Sequence, residues 1–579
     1  MFVDDIPVKD GFYAVIIRSP AAKGTLRQVR CPGLAPGSGV TLITAADIPG
    51  NPDILEAGLP LLAGESVSYI GEPVAVLAGP RALQLEELAA RCVVEVEQEK
   101  PEFLIEDAWD AESWFARQTR EAGPQSRLKG ELVVEGHYIT GLQEHWYSEP
   151  HGAIAVPEGN GGYTIKTSTQ RPGELGAAVA RALGVEAGKI KVENGELGIH
   201  FDGKLWYPSV IASLAALAAF VTKKTVKLQL TREEDYLYSP KRNISVLHVR
   251  SLLTFEGQIL ETDVLAKIGF GAAGVLAGAI LDEVCDSLIG VYKLGRITIE
   301  ALAIKTNNPP SGPFAGFGAA LSSFAIERHL SKISDILGEG GAQGRGKRLK
   351  SKLKTRFDNA ACDILEAVSK ESGFQRKWAA YELQRDKRGG EPERVLPQRG
   401  IGFAFALAGG GRETAPAAAC VIEVEIDRVN YESKIRGIWL YVLCGRPSSP
   451  SHAELVLRRS VNAALGWTST EKIRFVDGMI QPSVCALYQI LPASETPPLH
   501  ISFAYEAGAP ECPEERLEEL PFGTVSAAYT QAITQAINHH FERVPITGQD
   551  VWRVITMKKQ EDAERQSGEK PAASPEHHS

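Results

Sequence analysis

The chain has 579 residues, enough for three or four domains of ordinary size, with 44% hydrophobic and 23% charged residues. A formal net charge of −10 weighs against nucleic acid as the main partner. The acidic opening MFVDDIPVKD has no hydrophobic signal segment, and the apolar stretches 210–221 and 264–281 fail as membrane spans, the first on length and the second on Lys267 and its Gly and Ala content. Eight scattered cysteines (31, 92, 285, 362, 420, 444, 485 and 512) include no C-x-x-C pair. That argues against a zinc ribbon or an iron–sulfur ligand set here, and suits buried thiols in a reducing cytoplasm.

In chain order, 1–110 reads as strands alternating with short helices: buried strands at 12–17 and 74–77, a helix at 83–90 and a strand at 92–96. The polar stretch 111–130 reads as a linker. A second block, 131–336, opens with strands and carries an amphipathic helix at 175–183 and an apolar one at 212–220. A third helix at 323–337 has Phe324, Ile326, Leu330, Ile333 and Leu337 near helical spacing. The next stretch, 337–398, is polar, Gly-rich and then basic, with seven Lys or Arg and no acid from Arg345 to Arg356. Such a run is a solvated face or a docking surface for an acidic partner. A last folded block is expected at 399–556, followed by a polar, disordered tail at 557–579.

Several short motifs follow one another along this frame. Arg18-Ser19-Pro20, Thr44-Ala45-Ala46-Asp47-Ile48-Pro49-Gly50 and Tyr69-Ile70-Gly71-Glu72-Pro73-Val74 come first. Gln143-Glu144-His145-Trp146-Tyr147-Ser148-Glu149-Pro150-His151, Ser168-Thr169-Gln170, Thr231-Arg232-Glu233-Glu234-Asp235 and Lys241-Arg242-Asn243 come next. Thr306-Asn307-Asn308-Pro309, Gly316-Phe317-Gly318, Cys444-Gly445-Arg446, Leu491-Pro492-Ala493-Ser494 and Val544-Pro545-Ile546-Thr547 complete the series. Each is weak alone. Together, in this order, they resemble the large molybdenum-cofactor subunit of the xanthine dehydrogenase and aldehyde oxidase family. The resemblance implies an α+β, multidomain fold. An N-terminal α/β-hammerhead domain (1–110) precedes a first molybdenum-cofactor-binding-type domain (131–336) and a second one (399–556). The second is truncated, because about twenty residues stand between Gly402 and Val421 where the family inserts most of a domain.

The same resemblance implies where chemistry would sit. The family's cofactor is molybdenum held by molybdopterin, a polyanion approached by glycine-rich loops and supported by arginine. One loop corresponds to Gly198-Ile199-His200-Phe201-Asp202-Gly203-Lys204, in which Gly198, Phe201, Gly203 and Lys204 are retained. Ile199, His200 and Asp202 replace glycines, and Asp202 adds negative charge. A second corresponds to Pro313-Phe314-Ala315-Gly316-Phe317-Gly318, retaining Gly316, Phe317 and Gly318 but placing Ala315 at the arginine. The general-base glutamate corresponds to Glu519, in Glu518-Glu519-Leu520-Pro521-Phe522-Gly523, with Glu518 where a glycine is expected. A charged, solvated run from Glu514 to Glu519 is the plainer reading of that stretch. Gly409-Gly410-Gly411 could be a surviving phosphate-cradling turn. Glu144, His145, Glu149 and His151 match no metal-ligand spacing, so no metal ligands are expected.

Two functions follow from this pattern. One is the molybdopterin-binding subunit of a cytoplasmic oxidoreductase that hydroxylates a small aromatic heterocycle or an aldehyde, its iron–sulfur and flavin subunits lying on separate chains. The other is a catalytically silent paralogue that scaffolds or assembles such a complex, favoured by the altered loops and the missing segment.

Overall fold

The computed structural model describes residues 2–567 except 36, 56–57, 107–112, 291, 293, 339–359, 387–397, 410–414, 428, 493, 495 and 506–510. The basic run 345–356, Gly410, Gly411 and the tail beyond residue 567 therefore lie outside the described residues.

Strands from the first two blocks share one seven-stranded sheet, in the order 190–194, 163–167, 152–157, 226–229, 12–18, 73–79, 41–44. The joint is a parallel pairing of Phe12–Arg18 with Val226–Gln229. Side chains alternate across this sheet with period two. Ala14, Ile16, Val76 and Ala78 pack under the helices Pro172–Leu183 and Tyr207–Thr222. Ile17, Ala75 and Leu77 face the opposite way, toward Leu85 and Leu88 of the helix Ala82–Ala89. With both faces covered, Pro73–Gly79 is buried throughout, which is why it reads as an unbroken apolar run.

A six-stranded sheet follows, ordered 543–544, 132–140, 245–253, 259–271, 296–305, 114–122. Its last strand, Trp114–Ala122, lies inside the stretch expected as a linker at 111–130. The misreading has a physical cause: this is an edge strand whose charges pair with neighbouring elements. Arg117 meets Glu300 at 2.7 Å, Arg120 meets Asp282 at 2.6 Å and Glu121 meets Arg296 at 2.8 Å. The expected linker 337–398 likewise contains the helices Ala360–Ser372 and Phe374–Asp386. The second is tied to the final sheet by Lys377 and Glu423 at 2.6 Å. The tail expected from 557 is helical as far as Ser567, within Gly548–Ser567. The stretch 264–281 is no membrane span: it runs from the strand Ile259–Gly271 into the helix Ala277–Gly290. Among the described residues no helix is long and apolar enough to cross a membrane.

Cys31 and Cys92 are joined in a disulfide that closes the end of the strand Gly24–Arg30 onto the start of Val93–Gln98. This corrects the expectation of thiols throughout.

The last block is a four-stranded sheet ordered 398–407, 417–426, 433–444, 499–505, covered by the helices Leu520–Ile537 and Pro450–Ser469. Strand 398–407 lies unusually close to the Leu520–Ile537 helix. A Cβ on Gly400 or Gly402 would run into the backbone carbonyls of Ala532 and Ala528. Gln531 and Gln535 use that closeness, their Oε1 atoms accepting the N–H groups of Phe403 at 2.7 Å and Ile401 at 2.9 Å. Replacing Gly402 by Ala should therefore lower stability by about 1–3 kcal/mol in urea unfolding. Gly159→Ala, where nothing lies within 4 Å of an added Cβ, should change it by less than about 0.5 kcal/mol.

Candidate functional site

The two Phe-Gly loops and Glu519 converge. Phe201 stacks on Phe314 with ring centroids 5.2 Å apart, and both meet Phe522 edge-on, at 5.6 and 5.3 Å. Phe522 sits in the first turn of the Leu520–Ile537 helix, whose N-cap is Glu519. Three non-glycine residues here have left-handed backbone: Phe201 (φ 43°), Asp202 (φ 65°) and Phe317 (φ 48°). Such conformations persist only where the surroundings impose them, and here the aromatic cluster and two carboxylates do so.

Those acid groups face the backbone of the loops. Asp202 lies near the N–H of Gly316, which favours its ionised form, and its Oδ1 accepts from Gln170 at 3.2 Å. Glu519 Oε1 accepts the N–H of Gly409 at 2.9 Å. Gly316 has φ +81°, and a Cβ there would lie 2.7 Å from Glu519 Cβ and 2.8 Å from its Oε2. The first residue of the Gly409 triplet, the candidate phosphate cradle, thus points its donor at the chain's own acid.

The retained residues face inward in the same way. A Cβ on Gly203 would collide with Tyr147 and His145, and one on Gly318 with Val284. At Gly198 it would come 3.0 Å from Ser148 Cβ and also crowd the Glu149 carboxylate. Lys204 is buried and bonded to Glu149 at 2.6 Å. Gly318 caps the helix Ala319–Ile336, and Phe317 packs on the main core. Ala315, at the expected arginine, is 1% exposed within that core.

The electrostatics are acidic. Burial raises Glu519 to about 8, with Glu283 and Asp202 pushing the same way. Burial also raises Glu518 to about 7, opposed by Arg459, which it meets at 2.6 Å. Asp202 is raised by burial as well. The Glu514–Glu519 run is thus not simply a solvated face, since Glu514 and Glu518 are buried. Beneath the loops, His145, Glu144, Glu149 and His151 are each engaged within the protein. Glu144 meets Lys241 at 2.7 Å, and His145 Nε2 lies 2.9 Å from the carbonyl of Pro313. His151 lies 2.8 Å from Asp235. Burial alone would raise Asp235, but His151 and Lys241 outweigh it and hold the carboxyl well below its ordinary range. No group of three or more His, Cys, Asp or Glu able to hold a metal is present among the described residues.

Sequence reasoning passed over Arg242, quoted within a motif but given no role. It is fully buried against Phe314, and its neighbours Gln143 and Glu471 come from distant segments, so no local pattern marked it. The Asp202–Gly316 contact was equally invisible, since more than a hundred residues separate the partners.

Two family models match in tandem. The α/β hammerhead domain of aldehyde oxidase and xanthine dehydrogenase covers residues 1–100, and the molybdopterin cofactor-binding domain covers 120–345. The chain belongs to the xanthine dehydrogenase and aldehyde oxidase family. Among its relatives is a probable subunit of Bacillus subtilis xanthine dehydrogenase, 26% identical over 438 residues, covering 71% of this chain and 57% of that one. Xanthine dehydrogenase of Emericella nidulans is 29% identical over 349 residues, 58% of this chain and 25% of that one. The chain thus spans little more than half the length of the first relative and a quarter of the second. Quinoline 2-oxidoreductase from Pseudomonas putida 86 superposes with a TM-score of 0.83 at 16% identity, over 96% of both chains. Aldehyde oxidoreductase from Desulfovibrio gigas superposes with a TM-score of 0.81 at 14% identity, over 95% of this chain and 78% of that one. At such identity these two likenesses bear on fold alone, and they agree with the mixed, multidomain architecture.

By family resemblance the cofactor is molybdenum–molybdopterin. The described residues around Glu519 do not fit a polyanion of that kind. The loop N–H of Gly409 is taken by Glu519, Asp202 stands beside that of Gly316, the arginine position is apolar, and Lys204 is neutralised by Glu149.

The raised Glu519 has a measurable consequence. Its folded pKa of about 8 lies above its ordinary 4.5, so ionising it opposes folding. That opposition is absent below the unfolded value, grows as pH rises from about 4.5 to about 8, and is constant above. Glu519→Gln, which keeps an acceptor for Gly409, should match the parent in stability near pH 4.5. It should exceed it by on the order of 1 kcal/mol at pH 8, this part-buried group being screened by solvent. Thermal unfolding across that range reads the difference.

Proposed function

We propose that this chain is a catalytically silent member of a molybdenum hydroxylase assembly, acting as a scaffold or assembly partner of chains that do carry out turnover. One observation supports this above the rest: the loops that an anionic cofactor would use are faced from within by the chain's own acids, Gly409 hydrogen-bonded to Glu519 and Asp202 set beside Gly316. A ligand claiming the loop donors would have to displace two acid groups from the loops. Losing one charge-assisted hydrogen bond costs about 1.5–3 kcal/mol, or roughly ten- to a hundredfold in affinity.

A second reading keeps the chain as an active hydroxylase subunit for a small heterocycle or aldehyde. Its support is Glu519 itself, a carboxyl raised to about 8 beside a Phe-Gly loop, which is how a general base in a water-poor site is tuned. At neutral pH only about a tenth of such a group is ionised, which weakens it in that role. In both readings the expected partners are iron–sulfur and flavin subunits, and the likeness to a probable subunit of Bacillus subtilis xanthine dehydrogenase supports separate chains.

Metal analysis separates the two. Protein made in a host competent for molybdopterin should contain far less than one molybdenum per chain by mass spectrometry of the digested sample. Near-stoichiometric molybdenum, with Glu519→Gln abolishing turnover but not metal content, would establish the enzyme instead. Native pull-down should recover at least one iron–sulfur or flavin subunit, and recovery of neither would count against both readings.

A further inference from the structure

We propose that Cys444 and Cys512 form an oxidant-sensitive dithiol that closes to a disulfide and clamps the approach to the Leu520–Ile537 helix. Cys444 ends the strand Ser433–Cys444, and Cys512 lies just ahead of the short helical turn Glu514–Leu517 that leads to Glu518 and Glu519. The two segments are already held side by side. The N–H of Cys512 donates to the carbonyl of Arg446 at 3.3 Å, and Glu514 Oε1 accepts the N–H of Ser449 at 2.7 Å. The two thiols perturb each other's ionisation, the Cys512 Sγ also lies 3.6 Å from the carbonyl of Pro513, and both residues are buried, at 3% and 5% exposure. No role at the candidate site uses either sulfur.

The surroundings divide the labour. Cys444 favours the thiolate of Cys512, and Arg516 adds to this, outweighing burial and the nearby Glu514 and Glu515. Cys444 is pushed far the other way by Cys512 and by burial. We assign Cys512, four residues before Arg516, as the nucleophile and Cys444 as the resolving thiol. With hydrogen peroxide as oxidant, the Cys512 thiolate attacks one peroxide oxygen and breaks the O–O bond. The other oxygen leaves as hydroxide, and Cys512 becomes a sulfenic acid. Cys444 next attacks that sulfur, forming the S–S bond and releasing water. Two thiols and one peroxide give one disulfide and two waters. The bridge would join the last residue of an inner strand to the segment carrying Glu518 and Glu519, restraining the entry to the helix that completes the candidate site.

The test uses the full chain, folded and with its native Cys31–Cys92 bridge intact. Hydrogen peroxide at low molar excess should remove two alkylatable thiols and produce one linked peptide pair containing Cys444 and Cys512, reversed by dithiothreitol. The oxidised protein should unfold at higher temperature, and amides of 511–519 should exchange more slowly. Cys285 and Cys420, raised by burial, should remain alkylatable once the protein is unfolded. In Cys444→Ser, Cys512 should stop as a sulfenic acid that dimedone traps, whereas in Cys512→Ser, Cys444 should not react. Recovery of both thiols unchanged after peroxide, over-oxidation of Cys512 without a link, or the same link appearing only in urea-unfolded chain would each overturn the proposal. Dimedone labelling of Cys444 in place of Cys512 would overturn the assigned nucleophile.

Discussion

The guanidinium of Arg242 lies at the meeting point of the two large blocks, 4.0 Å from the centroid of Phe314, 4.3 Å from Trp467 and 4.7 Å from Phe522. These rings come from the second Phe-Gly loop, from the Pro450–Ser469 helix and from the Leu520–Ile537 helix. Its Nε donates to Gln143 at 3.2 Å, while Nη1 and Nη2 find no hydrogen-bond acceptor among the described residues and rest on aromatic faces instead. Burial lowers the group to about 9, opposed by Glu471, Tyr488 and Asp202, so it remains a cation at neutral pH. A desolvated cation over aromatic faces gains about 2 kcal/mol or more. Leaving it without those faces would strand a buried charge, so the three elements have to close around it together.

That closure explains why the candidate site is full of protein. Once Phe314 and Phe522 are drawn to Arg242, Phe201 completes the aromatic cluster, and its neighbour Asp202 is carried to the N–H of Gly316. Glu519, one turn before Phe522, is carried to Gly409. Glycine is required at 316 because of the positive φ and the contact with Glu519. The acids tolerate burial because much of their population is neutral, which makes the region sensitive to pH while leaving Arg242 charged.

The polar network below the loops is of another kind. Lys204 with Glu149, Lys241 with Glu144 and His151 with Asp235 are oppositely charged or hydrogen-bonded pairs with almost no solvent. Breaking one partner would leave the other buried and alone, so they specify how the segment Gln143–His151 sits against the rest of the 131–336 block. His145 between Tyr147 and Phe314 belongs to this packing, and burial keeps it neutral, at about 3.

By itself the sequence determined the family and most of the regular elements. Motif order and apolar periodicity are local properties, and strands such as Pro73–Gly79 or the all-buried helix Tyr207–Thr222 follow from them. It misjudged Trp114–Ala122, because an edge strand whose charges find partners across the sheet resembles a polar linker until those partners are in place. It also could not pair Cys31 with Cys92, 61 positions apart, or bring Cys512 to Cys444. The departures at Asp202, Ala315 and Glu518 were legible as single residues. That Glu519 hydrogen bonds to Gly409 and that Asp202 comes beside Gly316 was decided only by the tertiary structure, since these partners are more than a hundred residues apart and chain spacing carries no record of which atoms meet.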